Sequence, residues 1–152
     1  MAATQQFCTF HLDPYFFGID VRKVQEVLRP QAITRVPLSS VTVGGLINLR
    51  GQIVTAIDLR SCLGLEASSG EGLMNVIVRT EEGAVSFLVD EIGEVVEVED
   101  NWFEAPPDTL DGPSRELVRG VYKLRDQLLI VLDTEEALQK KVDGGASQAA
   151  TR

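Results

Sequence analysis

Two aspartates, Asp58 and Asp133, stand 75 residues apart at the same place in a repeated pattern. A pair of carboxylates supplied by two related halves is the arrangement in which one shared proton drives acid–base hydrolysis. That chemistry needs a tight loop, with serine or threonine and then glycine after each aspartate. Here Asp58 is followed by Leu59-Arg60 and Asp133 by Thr134-Glu135. Neither copy offers the loop, so an aspartic-type hydrolase is the weaker reading and both carboxylates suit helix caps that accept from exposed amides. His11 is the single histidine. It lies in an alternating strand pattern, with no serine, cysteine or carboxylate in a triad arrangement. No phosphate-cradling Gly-Lys loop and no spaced His/Cys cluster for zinc occurs, and Gly70-Glu71-Gly72 lacks the third glycine and preceding strand of a dinucleotide site. The expectation is a protein without catalytic residues, cofactor or metal.

The formal charge of −9 repels phosphate backbones and anionic lipid. A small β-barrel that binds nucleic acid would need a basic stripe with exposed aromatics, and the 14 Lys and Arg are scattered among 23 Asp and Glu. Cys8 and Cys62 form neither a CxxC pair nor a disulfide framework and read as small core residues of a reducing compartment. Met1 to Leu12 has no basic segment leading into an apolar stretch, and no apolar run reaches the roughly 20 residues of a spanning helix. A cytoplasmic protein without direct membrane insertion is expected.

The elements that would position any site come from the repeat. Gly45 to Asp58 aligns without a gap on Gly120 to Asp133, with the glycine, leucine, arginine, glutamine and aspartate coinciding. A looser echo joins Phe17-Gly18-Ile19-Asp20 to Phe87-Leu88-Val89-Asp90, followed by Val24 and Glu26 in one copy and Ile92 and Glu94 in the other. Two small related β units follow from this. Units this small bury only about 60% of their unfolded surface, so they should pack together. The expected division is a flexible start over 1–6, a first unit over 7–68, a second over 69–138, with the first strand able to cross between them, and a helix end and disordered tail over 139–152.

Locally, Phe7 to Leu12 and Tyr15 to Ile19 form a hairpin about Asp13-Pro14. Asp20 caps a short helix with Val21, Val24, Val27 and Leu28 on one face, ended by Pro30. Ile33 to Val36 reads as a strand stopped by Pro37, and 38–43 as a loop. Arg50-Gly51 forms the tight turn between two apolar runs. The small, polar Ala67 to Gly72 marks the boundary, and Met74 to Arg79 with Ala84 to Val89 makes a second hairpin.

Gly45-Leu46-Ile47-Asn48-Leu49-Arg50-Gly51, the apolar strand after it and Asp58-Leu59-Arg60 resemble the motifs of the CheW family of bacterial chemotaxis coupling proteins. Tyr15 to Asp20 with Val24-Gln25-Glu26-Val27, Thr34-Arg35-Val36-Pro37 and the weaker pattern of Leu88 to Asp90 and Gly120 to Asp133 extend the resemblance over about Phe7 to Leu138. It implies a mainly β fold of two packed five-stranded SH3-like barrels with short helices. It also implies a non-catalytic adaptor, monomeric outside arrays, that ties the cytoplasmic tip of a chemoreceptor (a methyl-accepting chemotaxis protein) to the CheW-like regulatory domain of the histidine kinase CheA. Carried over residue by residue, the receptor surface comprises Glu26, Gly45, Asn48, Arg50 and Gly51, with Met74 and Val95 as weaker matches. The kinase surface comprises Ile33, Arg35 and Val36, residues that equally suit a core strand. Three roles are open to Arg50: a bidentate contact with a partner, a hold on Glu26, or a solvated turn. One departure is Thr55, where the family commonly has proline, which would leave that strand an open edge.

Overall fold

In a computed structural model of the chain, residues 3–37, 43–66, 72–81, 83–106 and 116–138 are described. Residues 38–42 of the loop expected over 38–43, the boundary residues 67–71, residues 107–115 and the tail expected over 139–152 lie outside them, and Val43 opens a strand instead. The fold is mainly β. Its strands in chain order are β1 (Thr4–Leu12), β2 (Tyr15–Asp20), β3 (Val24–Leu28), β4 (Val43–Leu49), β5 (Gln52–Asp58), β6 (Met74–Thr80), β7 (Gly83–Val89), β8 (Glu91–Glu99), β9 (Phe103–Glu104), β10 (Val118–Lys123) and β11 (Leu128–Leu132). A four-residue helix α1 (Leu59–Cys62) follows β5, and residues 134–138 are helical after β11.

The strands form two sheets that exchange parts. The first sheet has the order β3-β6-β7-β5-β4 and the second β8-β1-β2-β11-β10-β9. Each repeat hairpin is therefore completed by the echo strand of the other half: β5 runs parallel to β7, and β11 parallel to β2. The sheets take their strands across the 68/69 position, and the exchange involves the whole β1–β2 hairpin rather than the first strand alone. The second sheet holds six strands rather than five because the two-residue β9 pairs with β10. Its counterpart on β4 is the single bridge from Thr34 to Leu46. The register also slides: Thr55 faces Val85, whereas its repeat partner Ile130 faces Phe17, two residues out of step with the sequence echo. A slip of two keeps every side chain on its own face, so it is tolerated where a slip of one is not.

Three apolar clusters result. One holds Phe10, Leu12, Phe17 and Ile19 of the second sheet with Ile57, Val76, Val78, Phe87 and Val89 of the first, together with Leu59 and Cys62 of α1. The others lie on the opposite faces: Ile47, Val54, Ala56 and Ile77 in the first sheet, Phe7, Tyr122, Leu129 and Val131 in the second. Central strands are thus buried on both faces, which is why β6 and β11 read as continuous apolar runs rather than alternating ones.

Three local expectations differ. Asp20 caps only a three-residue 3-10 turn, Val21–Lys23, through the Arg22 amide at 2.9 Å, and Val24–Leu28 is a strand. The β-branched valines and a pairing partner in β6 outweigh the apolar face that a short helix would have presented. Ile33 to Val36 contributes one bridge rather than a strand, its Thr34 exchanging two 2.8 Å hydrogen bonds with Leu46. Thr55 does not leave an open edge: β5 is paired with β4 on one side and β7 on the other, so the free edges are β3 and β4.

Candidate protein-binding site

The Arg50-Gly51 turn joins β4 to β5 with positive φ at both residues, 50° and 88°. Such geometry fits the twist of an antiparallel hairpin, and glycine adopts it without the cost of a Cβ. Asn48 fixes the turn from below, its Oδ1 accepting from the Gly51 amide at 2.9 Å. The guanidinium of Arg50 then reaches Glu26 on β3, with Nη1 donating to Oε1 at 3.2 Å and Nη2 to Oε2. β3 and β4 are the two outer strands of the first sheet. The ion pair therefore draws opposite edges of one sheet together.

Arg50 is two-thirds exposed and Glu26 about one-quarter exposed. The hydrogen bonds from Arg50 hold the Glu26 carboxyl below the usual carboxylate range. On the same hairpin Ile53 is 66% exposed and directly opposite Asn48. Sequence reasoning missed Ile53 because Ile53-Val54 is apolar on both faces, and only the fold shows which one meets water. Its repeat counterpart Leu128 is also exposed. The counterpart arginine, Arg125, has no carboxylate partner among the described residues.

Other expected site residues fall elsewhere. Gly45 is buried with φ +150°, and a Cβ there would meet Ile33 Cγ2 and the Thr34 carbonyl oxygen at 2.5 Å. Its role is to let the 33–36 segment lie against β4. Gly120 does the same for β9, where a Cβ would meet the Phe103 ring at 2.2 Å. Met74 is half-buried against the cluster between the sheets. Val95 is exposed on β8, an edge strand of the second sheet. Of the segment expected to meet a kinase, Ile33 packs on the first sheet's core while Arg35 and Val36 are exposed.

The paired aspartates act as caps. Asp58 Oδ1 accepts from the Arg60 amide at 3.0 Å and its Oδ2 from Ser61 Oγ, and Asp133 Oδ1 accepts from the Glu136 amide at 3.1 Å. His11 packs on Phe16 with ring centroids 4.9 Å apart, its Nδ1 buried without a hydrogen-bond partner. Cys62 is buried and Cys8 half-buried, and neither is in a disulfide bond. No helix among the described residues is long and apolar enough to cross a membrane.

Arg60 is the residue of this region whose importance the sequence concealed. Its Nε donates to Asp90 Oδ1 at 3.0 Å, Nη2 to Asp90 Oδ2 and to the Asp13 carbonyl at 3.0 Å, and Nη1 to the Glu66 carbonyl at 3.2 Å. The Asp13 amide closes the network on Asp90 Oδ2 at 3.0 Å. Helix α1 of the first sheet is thereby tied to the β1–β2 turn of the second. The Arg60 hydrogen bonds, against the opposing effect of burial, hold the Asp90 carboxyl below the usual range. A lowered folded pKa gives stability that is complete above the unfolded value near about 4 and is lost as pH falls through the folded value. The stability gap between the native chain and Asp90→Asn, followed by circular dichroism, should therefore narrow as pH falls from about 5 to about 2. A gap independent of pH would contradict this account of the pair.

The fold is a scaffold of two sheets that complete each other, with polar and apolar side chains displayed on turns and edge strands. Residues 6–142 match the CheW-like domain, and the chain belongs to that family. It is 29% identical over 141 residues to the chemotaxis protein CheW of Treponema pallidum (strain Nichols), spanning 90% of this chain and 83% of the relative. The Helicobacter pylori (strain ATCC 700392 / 26695) chemotaxis protein CheW is 29% identical over 136 residues, covering 89% and 82% of the two chains. The crystal structure of the scaffolding protein TtCheW from Thermoanaerobacter tengcongensis superposes with a TM-score of 0.75 at 29% identity, covering 88% of this chain and 90% of that one. The protein is a chemotaxis adaptor of the CheW-like family.

Proposed function

We propose that this chain works in the cytoplasm by holding a chemoreceptor tip and the regulatory domain of the histidine kinase CheA at the same time. The observation that carries the receptor half is the Arg50–Glu26 pair at the exposed end of the β4–β5 hairpin. A forked guanidinium held by one carboxylate keeps further donors for a second acceptor, and Ile53 and Asn48 supply apolar and polar surface on the same hairpin. Val95 extends the receptor contact as an exposed residue of β8. Arg35 and Val36 are the kinase contacts, with Ile33 anchoring their segment to the core. Each contact is modest, and simultaneous engagement in an array supplies the avidity.

Pull-down of receptor and kinase with wild-type, Arg50→Glu and Arg50→Glu/Glu26→Arg baits tests this reading. Arg50→Glu should lower receptor recovery by at least roughly tenfold, leaving kinase recovery and the circular dichroism spectrum unchanged. Rescue by the reversed pair would mean that Arg50 acts by holding Glu26, and no rescue that it touches the receptor. Undiminished receptor recovery with Arg50→Glu would remove the turn from the interface.

A further inference from the structure

The internal repeat allows one position to be compared in two surroundings. In the first sheet Ile47 is buried in an aliphatic cluster, with Ile33 packed against it. At Gly44, at the start of the same hairpin, a Cβ would press on the tip of Leu88, meeting its Cδ1 at 2.8 Å. Seventy-five residues on, Ile47 becomes Tyr122 and Gly44 becomes Arg119. The bridge partner Phe103 stands across from Tyr122 where the 33–34 segment stands in the first sheet. The second sheet holds a cavity of about 260 Å³ here, lined by Phe7, Phe103 and Tyr122 together with Lys23, Arg119, Asp20 and Asp100.

Folding alone does not require this lining, since the same strands in the first sheet close over apolar side chains. The charges at the rim are unequal in their availability. Asp20 is engaged by Arg22 through both carboxylate oxygens, and Asp100 accepts from Gln5 Nε2 at 3.1 Å. Neither Lys23 nor Arg119 has a carboxylate within ion-pair distance among the described residues, in a chain of net charge −9. Lys23 also feels the Asp20 carboxylate, but Arg22 already neutralises that group, so with Arg119 the lining keeps net positive charge beside an aromatic side chain. That pattern suits a small organic anion, and the volume is just below the usual range of ligand pockets.

We propose that this cavity binds a small aryl carboxylate, its carboxylate at Lys23 and Arg119 and its ring against Phe103, the exposed aromatic of the lining. The site lies on the second sheet, whereas Glu26 and Arg50 stand on the first, so it is a separate ligand input to the adaptor. Calorimetric titration of the full chain with phenylacetate, and with phenethylamine as the cationic counterpart, reads it directly. Phenylacetate should bind saturably and phenethylamine should not. Lys23→Glu and Arg119→Glu should each weaken phenylacetate at least roughly tenfold, while Arg125→Glu, which removes a turn arginine outside the lining, should leave it unchanged. Circular dichroism on each variant separates lost binding from lost fold, and the two cation variants serve as independent checks. No saturable binding up to about 10 mM, equal affinity for the amine, or affinity unchanged in both folded cation variants would overturn the proposal.

Discussion

Arg60→Ala is expected to lower the midpoint of thermal unfolding by roughly 4–10 °C, from a loss of about 2–3 kcal/mol in a chain of this length. Arg60 and Asp90 side chains are 13% and 23% exposed, so the pair is largely withdrawn from solvent. Removing the guanidinium strands the Asp90 carboxylate with only the Asp13 amide and leaves the Asp13 and Glu66 carbonyls without their donor. Breaking one side of such a pair costs more than the pair contributes, because the remaining charge keeps its desolvation penalty. The surface pair Arg22–Asp20, with Arg22 81% exposed, provides the contrast. Arg22→Ala should shift the midpoint by far less, within the small range of exposed ion pairs. Arg60→Lys should restore little, since an ammonium cannot reproduce the fork that reaches Asp90 and two carbonyls together. Differential scanning calorimetry of the three variants checks the ranking. Equal shifts for Arg60→Ala and Arg22→Ala would show that the network does not join the sheets.

Gly45→Val is expected to free the 33–36 segment from β4 while the rest of the sheet persists. The glycine has φ +150°, a conformation poorly suited to a side chain, and its Cβ position is occupied by Ile33 and the Thr34 carbonyl. Backbone cannot give way as a side-chain tip can, so the two Thr34–Leu46 hydrogen bonds must break or β4 must shift. The loss should be about 2–4 kcal/mol, combining overpacking with a strained φ. Amide exchange at Thr34 and Leu46 should accelerate selectively. On the proposed assignment of Arg35 and Val36, kinase recovery in a pull-down should fall while receptor recovery holds. Unchanged protection at Thr34 would refute the steric account. Accelerated exchange with undiminished kinase binding would move the kinase surface off this segment.

The β4–β5 turn, the β1–β2 and β6–β7 hairpins and both aspartate caps were legible because each depends on neighbours in the chain. A turn needs glycine where φ is positive, a hairpin needs two apolar runs and a breaker, and a cap needs a carboxylate two or three residues before a free amide. The Glu26–Arg50 pairing was legible only as one option among three. Val24–Leu28 was not legible as a strand, since valines spaced three and four apart suit a helix face as well, and what decided was the availability of β6 as a partner. Ile53 and Met74 show the same limit in opposite directions. Both are apolar residues near strand starts, and only packing places one in solvent and the other against the core.

By itself the sequence determined that the chain is duplicated, that its units are β, and that neither Asp58 nor Asp133 has the loop of a catalytic carboxylate. Periodicity, turn chemistry and composition are local quantities, and they survive without knowledge of what lies across a sheet. The tertiary structure decided that each repeat hairpin is completed by the echo strand of the other half, that Arg60 ties the sheets through Asp90, and that Arg50 spans two edges to Glu26. Those facts join residues 24 to 113 positions apart. Strand order is set by which apolar faces bury each other best, a comparison among whole arrangements that no short stretch of sequence encodes.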